Sequence, residues 1–519
     1  MLKIKASILI VIPLLLTICI VHNGLASKTD TLIVAKPFGP SVSVPDPAKG
    51  ANGWYTSEAG VTETLFSLDL DMNLKPNLAE SYKNIDPLHW EITLRSGVRF
   101  HDNTSLDAKA VKWSIERLLD KESSVFNIRI QKMLDLNKIT VKDNRTLIFE
   151  THNPNAPFLY HLASAPTAII SSAGDSKNIY GTGPFVLDKV IANEKILLSR
   201  FDNYWGTKAQ LAHAELHTIE NPSTRMLAFE SGQLDVVTDY PEYDINRIKS
   251  KKNINIYYRP TNRLCFLFVR VADGPLANPN IREALNYAID RQMIIKTILA
   301  GIGGEASGSI FPDYLPWHNN TITPYPYAPD KALTLLTQAG AKDTNNDGIL
   351  ELAGKPLLLN MWTYEGRASL KPILELLQDQ LLKVGIGTKI KITKTGSPIN
   401  QAMIRGDVQL SLQMRNVAPE GDPDSFISNV FVTGAGSNFM GYNNTELDIL
   451  ADKGRTTLNP EARKIIYDQI QQIIYKDNPV IALFHKSEVA VTGFNVQNYR
   501  IHPAEKYLMT PTLTKKEKL

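Results

Sequence analysis

The first 26 residues decide where this chain folds, and through that what it can fold into. Lys3 and Lys5 give a positive start, an apolar run follows from Ala6 to Val21, and His22-Asn23 makes a short polar neck. Gly24-Leu25-Ala26 then places small residues around a cleavage position before Ser27. This is the pattern of a secretory signal peptide, too short and wrongly flanked for a stable membrane span. A lipid-anchored form would need a small residue before Cys19, and Ile18 stands there instead. The expectation is an exported protein that begins at Ser27.

Export also removes Cys19 and leaves Cys265 as the only cysteine. The mature chain can therefore form no internal disulfide, although an oxidising compartment would permit one. Stability has to come from burial, and 519 residues suffice for roughly two to four domains. Cys265 itself lies in Leu264-Cys265-Phe266-Leu267-Phe268-Val269 and reads as a buried structural thiol. Losing Lys3 and Lys5 takes the formal charge from +3 to about +1, which offers no electrostatic footprint for nucleic acid or anionic lipid. No second stretch approaches the roughly 18 apolar residues that a membrane span needs.

The periodicities alternate between strand and helix. Trp90 to Arg95 alternates apolar and polar residues as a half-buried strand does, and Val98-Arg99-Phe100 resumes the alternation after Ser96-Gly97 as a hairpin partner. Ala108, Val111, Ile115, Leu118 and Leu119 follow at helical spacing, with Thr104-Ser105 as caps. Asn278-Pro279 opens a second helix through Ile289. Pro329 opens a third that stops at Gly340, and Pro372 a fourth that stops at Gly385. Leu32 to Ala35 and Ile196 to Leu198 read as strands. The class is mixed α/β, without repeats or low-complexity tracts.

A search for chemistry finds little. There is no Gly-x-Ser-x-Gly elbow, no His-Glu-x-x-His and no Cys-His cluster. His101 and His485, each beside a phenylalanine, read as strand-end or core histidines. Gly301 to Ala306 follows a helix, so it is a helix-ending loop and not a dinucleotide fingerprint. Asp343 to Gly348 resembles the first half of a calcium loop. Its twelfth position is Gly354, where an EF-hand needs a bidentate Glu, so the sequence favours a hairpin turn.

Six further stretches stand out: Glu63 to Phe66 with Leu74 to Ser81, Trp90 to Thr104, Gly181 to Phe185, Asn203 to Gly206, Thr224 to Val236, and Ile281 to Asp290. Together they resemble the extracellular solute-binding proteins of family 5, which serve peptide- and nickel-type ABC importers. Trp90 to Thr104 is similar to that family's run W-x-F-x-L-R-x-G-V-x-F-H-D-G-T, with Asn103 in place of the Gly. The resemblance spans nearly the whole mature chain. It implies a periplasmic-binding-protein-like venus flytrap of two lobes, with the signal peptide at 1–26 and the first lobe at 27–66. An inserted subdomain would follow at 67–179, a second piece of the first lobe at 180–269, the second lobe at 270–489, and a C-terminal return at 490–519. Hinge strands would cross near Val269 to Val271 and Glu488 to Ala490. The family also implies a periplasmic monomer without enzymatic activity or cofactor. It would deliver a short peptide or peptide-like solute to membrane permease subunits.

The loop Pro419 to Asp424 resembles the segment that meets the ligand from the second lobe. In peptide binders an Asp there takes the α-ammonium, which points to Asp422, with Asp424 as alternate. The alternative for both is capping a helix from Ser425. Arg415 and Arg367 could receive a carboxylate, and Trp54 and Tyr55 could wall the cleft; otherwise the arginines are surface residues and the aromatics core. A nickel chelate is the competing ligand, because Tyr364 to Leu370 and Ala418 to Tyr442 look more like nickel-chelate binders. Against it, Val417 and Gly421 stand where nickel binders carry aromatics, no His lies near Gly434 to Gly436, and Ala168 and Val432 replace arginines that hold metallophores. An exported hydrolase or chaperone-like factor is the different-class alternative.

Overall fold

The structure, a computed structural model, describes residues 31–174 and 178–517. The signal peptide, its cleavage before Ser27 and Cys19 lie outside the described residues.

Eleven strands join in one continuous sheet, and two of them form its spine. These are Ile254–Val269 and Val480–Gly493, 16 and 14 residues long, paired antiparallel to each other. On one side of the spine lie Leu410–Asn416, Leu358–Tyr364 and Gly387–Thr393. On the other lie Val236–Val237, Thr31–Lys36, His213–Thr218, Lys195–Arg200 and Phe185–Ile191. Gly304–Ala306 pairs off this path with the second spine strand.

The stretch Leu264 to Val269 of the spine is apolar on both faces because both faces are covered there. Strand residues alternate sides, so Cys265, Leu267 and Val269 enter one core with Leu285 and Leu374, while Leu264, Phe266 and Phe268 enter another with Phe431 and Tyr467. Val489 and Val491 face a third core and Ala490 a fourth. Cys265 is fully buried, and burial pushes its thiol well above the usual range, as a structural cysteine requires.

Each spine strand changes neighbours part-way. Ile254 to Pro260 pairs with Gly493 to Ser487, the register then shifts, and pairing resumes at Leu264 with His485. Pro260 brings no N–H to the ladder. Beyond it the Thr261 hydroxyl donates to the Lys486 carbonyl at 2.9 Å, and the Asn262 N–H donates to the Pro503 carbonyl at 2.9 Å. The changeover therefore falls at Pro260 to Leu264, upstream of the Val269 to Val271 expected for the first crossing, and beside Glu488 on the second.

A separate four-stranded antiparallel sheet, in the order Ala79–Asp86, His89–Leu94, Thr146–Thr151, Leu136–Val141, occupies the inserted stretch. Its core joins Ile92, Leu94, Leu147 and Phe149 to Val111 and Ile115 of the helix Ala108–Leu119. Val98 to Phe100 is not the hairpin partner that the alternation suggests. His89–Leu94 is already paired along both edges, so Val98 and Phe100 bury their side chains as part of a loop. The helices form at Pro279–Ala288, Pro329–Gln338 and Leu370–Leu382, with Gly340 and Gly385 beyond the last two in the left-handed conformation. Asn103 takes a φ of 66°, the value a glycine would otherwise supply. Asp107, not Thr104 or Ser105, caps the helix Ala108–Leu119 by accepting the Ala110 N–H at 2.8 Å.

The segments that carry the resemblance meet around Glu63. Its buried carboxylate accepts from the Thr182 hydroxyl at 2.8 Å, the Tyr204 hydroxyl at 2.9 Å and the Trp205 indole N–H at 2.9 Å. The His101 ring is 3.0 Å from the Gly183 carbonyl. Gly181 and Gly183 run so close to Val61 and Gly60 that a Cβ on either would collide with backbone. These motifs fasten the chain around the four-stranded sheet to the first half of the large sheet.

Candidate cleft between the two halves of the sheet

Beside the spine, where its neighbours change, the chain encloses a cavity of about 610 Å³. One wall comes from the first half. Lys36 ends the strand Thr31–Lys36 and Phe38 follows it, and Trp54 and Tyr55 stand on the helix Asn52–Glu58. The opposite wall comes from Arg415 at the end of Leu410–Asn416, Arg367 after Leu358–Tyr364, and Phe426 on the helix Asp424–Val430. Gly366 permits the closest approach of the two walls: its φ is +96°, and a Cβ there would strike the Phe38 ring at 2.6 Å.

Charge in the cavity is unequal. Seven lysines and arginines line it against four carboxylates, so any solute that neutralises it carries negative charge. Lys36 pairs with Glu58, and Arg263 with Glu505. Arg367 reaches Asp239 at 3.3 Å and Glu505 at 4.0 Å, which links the second half to the first. Burial works against the Arg367 cation, but these carboxylates outweigh it and raise its pKa.

Arg415 is different. Its Nε donates to the Gln413 side-chain oxygen at 2.9 Å, and its guanidinium lies over the Phe268 ring at 4.9 Å and the Phe439 ring at 5.3 Å. Among the described residues it has no carboxylate partner, and burial lowers its pKa to about 10. It remains a cation at neutral pH, held in place by aromatic faces and open to the cavity.

Behind the cavity lies a buried charge cluster. The Lys486 ammonium is 2.7 Å from Asp239, 3.2 Å from Glu488 and 3.5 Å from Glu242. Burial opposes its charge, but Asp239, Glu488 and Glu242 raise its pKa regardless. Burial would raise Asp239 too, yet Lys486, Arg367 and Arg225 pull it well below the usual carboxylate range. Glu488 is pushed up to about 7, chiefly by burial, with Lys486 opposing and Asp239 adding. Arg225, from the Thr224-Arg225 motif, donates to the Asp239 carbonyl at 3.1 Å and so supports that residue's left-handed backbone.

Of the residues singled out in the sequence, Arg415, Arg367, Trp54 and Tyr55 line the cavity, and Asp422 and Asp424 do not. Asp422 is buried in a two-pronged ion pair, with Arg463 nitrogens at 2.6 and 3.0 Å, and it also accepts the Asp424 N–H at 2.9 Å. Asp424 is fully buried, held by Arg455 at 3.0 and 3.2 Å and by the Ser428 hydroxyl at 2.9 Å. The expectation that Asp422 or Asp424 meets an α-ammonium is corrected accordingly, because protein donors occupy both carboxylates. Sequence reasoning missed Asp239, Glu505 and Lys506. The last two sit in a C-terminal stretch that matches no quoted motif, and Asp239 lies just beyond the Thr224 to Val236 match.

With this geometry in view, the comparisons with known proteins are consistent. The glutathione-binding protein GsiB of Salmonella paratyphi A is 27% identical over 455 residues, covering 85% of this chain and 86% of that protein. The periplasmic binding protein DppA of Helicobacter pylori, solved with the peptide STSA, superposes with a TM-score of 0.77 at 25% identity, covering 92% of this chain and 98% of that one. The nickel ABC transporter protein of Bacillus halodurans superposes at 0.72 with 27% identity, covering 93% and 99%. The fold is thus the two-lobe periplasmic-binding-protein fold. Residues 73–438 match the bacterial extracellular solute-binding proteins, family 5, and the chain belongs to that family.

Proposed function

We propose that the cavity holds a short peptide or peptide-like solute bearing a carboxylate, and that the chain, as the solute-binding component of an ABC importer, delivers it to the membrane permease. The reading rests on Arg415. A desolvated cation with no protein counter-charge, fixed at the wall of an interlobe cavity, is suited to a ligand carboxylate. Trp54 and Tyr55 supply apolar surface from the other lobe, and of the four lining carboxylates, each already paired with a lysine or arginine, Asp239 keeps one oxygen without a donor. A cavity of about 610 Å³ suits a compact solute. The printed ligands of two relatives, glutathione and the peptide STSA, are of this chemistry. Such a ligand touches both lobes, so its affinity is greater for the closed state and it shifts the population toward closure. In this proposal the lobes divide as the resemblance implies, with the hinge moved to Pro260 to Leu264 and His485 to Ser487.

A nickel chelate is the second reading, favoured by the likeness to the Bacillus halodurans protein. The chelator would have to supply the metal's ligands. His502, the histidine lining the cavity, has Nε2 3.1 Å from the carbonyls of Leu68 and Asp69, and its Nδ1 accepts the Ala504 N–H.

Native mass spectrometry of protein purified without denaturation weighs any retained solute, and calorimetry then follows glutathione, short peptides and nickel with histidine. Wild type is expected to bind a peptide-like solute, and Arg415→Gln to weaken it at least tenfold. Equal affinities in the two proteins refute the anchor. Binding of nickel only with its chelator, and of no peptide, makes the second reading the answer.

A further inference from the structure

The turn at Asp343 to Gly348, which lines no part of the cavity, carries a feature that a turn does not need. After it, Glu351 pairs antiparallel with Lys342, each N–H donating to the other's carbonyl, and this brings Glu351 back onto the turn. One carboxylate oxygen from each of Asp343, Asp347 and Glu351 lies within 4.8 Å of the others. Asp343 and Asp347 are exposed, but Glu351 is only 9% exposed. Its Oε2 accepts from the Thr344 N–H at 2.7 Å and hydroxyl at 2.8 Å, whereas its Oε1 is buried without any donor. Among the described residues no lysine, arginine or histidine forms an ion pair with any of the three. A buried carboxylate oxygen without a donor, inside a cluster of three uncompensated charges, is costly unless a cation is present.

We propose that Asp343, Asp347 and Glu351 bind a calcium ion, and that the ion pins this turn to the core of the second lobe. Oxygens around calcium stand about 2.3–2.6 Å from the ion, so two on opposite sides are separated by at most roughly 5 Å, and the cluster meets that limit. The donors are all hard oxygens, which suits calcium and not a softer transition metal. Asn345 and the Ile349 carbonyl occupy the third and seventh positions of the loop, which supply further oxygens in calcium loops. Glu351, at the ninth position, takes over the part that Gly354 cannot play at the twelfth. The ion's structural effect follows from the neighbouring residues. Leu350 and Leu352 pack against the core, and the Leu350 N–H donates to the Gly385 carbonyl at 2.8 Å.

The test uses the full mature chain, stripped with EGTA and titrated with calcium chloride by calorimetry, with melting curves in calcium, in magnesium and in EGTA. The expected result is one site with a dissociation constant of about 1 mM or tighter, and a melting temperature raised by calcium and little changed by equal magnesium. Asp347→Asn, at an exposed position that leaves the fold intact, and Glu351→Gln should each weaken calcium binding at least tenfold. Absence of both heat and melting shift in the wild type overturns the proposal. So does undiminished calcium affinity in both variants, which would place the ion elsewhere.

Discussion

Asp422 and Arg415, both ligand candidates in the sequence, meet different surroundings in the fold. Asp422 is the counter-ion of Arg463, with both groups buried. Asp422→Asn leaves that guanidinium without its charge partner, which should destabilise the fold by about 3–5 kcal/mol in chemical denaturation. Affinity for the solute should stay within a factor of a few in protein that remains folded. Arg415→Gln should do the reverse, weakening binding by about 2–5 kcal/mol with little change in the melt. A shared outcome for the two variants would contradict this division. The difference was not legible in the chain, because Arg463 lies 41 residues downstream of Asp422 and only the tertiary fold brings the loop before Asp424–Val430 to the helix Pro460–Asp477. Trp54, Tyr55, Arg367 and Arg415 were legible as cleft candidates through the family pattern. The pairing of Arg367 with Asp239 and Glu505 was not, because those partners come from other segments of the chain.

At the scale of elements, local signals carried furthest where a segment is self-sufficient. The helices Pro279–Ala288 and Pro329–Gln338 begin at prolines and carry their apolar faces at regular spacing, so sequence and structure agree on them. The strand His89–Leu94 was equally plain, but its partners were not. Alternation reveals a half-buried surface without saying which edge is free, and Val98 to Phe100 found both edges taken. Capping supplies a clean test. Asp107→Ala removes the acceptor of the Ala110 N–H and should cost about 1 kcal/mol in a denaturation curve, whereas Ser105→Ala should cost much less. Similar losses in both would restore the cap to the earlier residue.

For the whole molecule, the spine should bend where its pairing changes. Small-angle scattering is expected to give a smaller radius of gyration with a confirmed solute than with emptied protein, and no change would argue against closure. The charge cluster behind the cleft adds a pH dependence. Glu488, at about 7 in the folded protein against an ordinary glutamate value of 4.5, binds a proton that the unfolded chain releases earlier. Stability from this group is complete below about pH 4.5 and falls as pH rises toward 7, by about 1–3 kcal/mol. Asp239 works the other way: its depressed pKa contributes stability above about pH 3.8 that is lost as pH falls below it. Melts between pH 4.5 and 7.5 should therefore decline, and Glu488→Gln should flatten the decline.

The first lobe is closed by both ends of the described chain. The Lys515 ammonium donates to the Thr31 carbonyl and the Asp235 carboxylate at 2.8 Å, Arg263 pairs with Glu505, and the Met509 N–H donates to the Glu58 carbonyl. A chain delivered amino end first cannot make these contacts until nearly all of it has emerged. Contacts of such long sequence separation also form slowly. The four-stranded sheet of residues 79–151, by contrast, is nearly continuous and can form as soon as its own residues are available. Assembly thus has a built-in order, in which the cavity, lined in part by Glu505 and Lys506, is the last part of the molecule to exist.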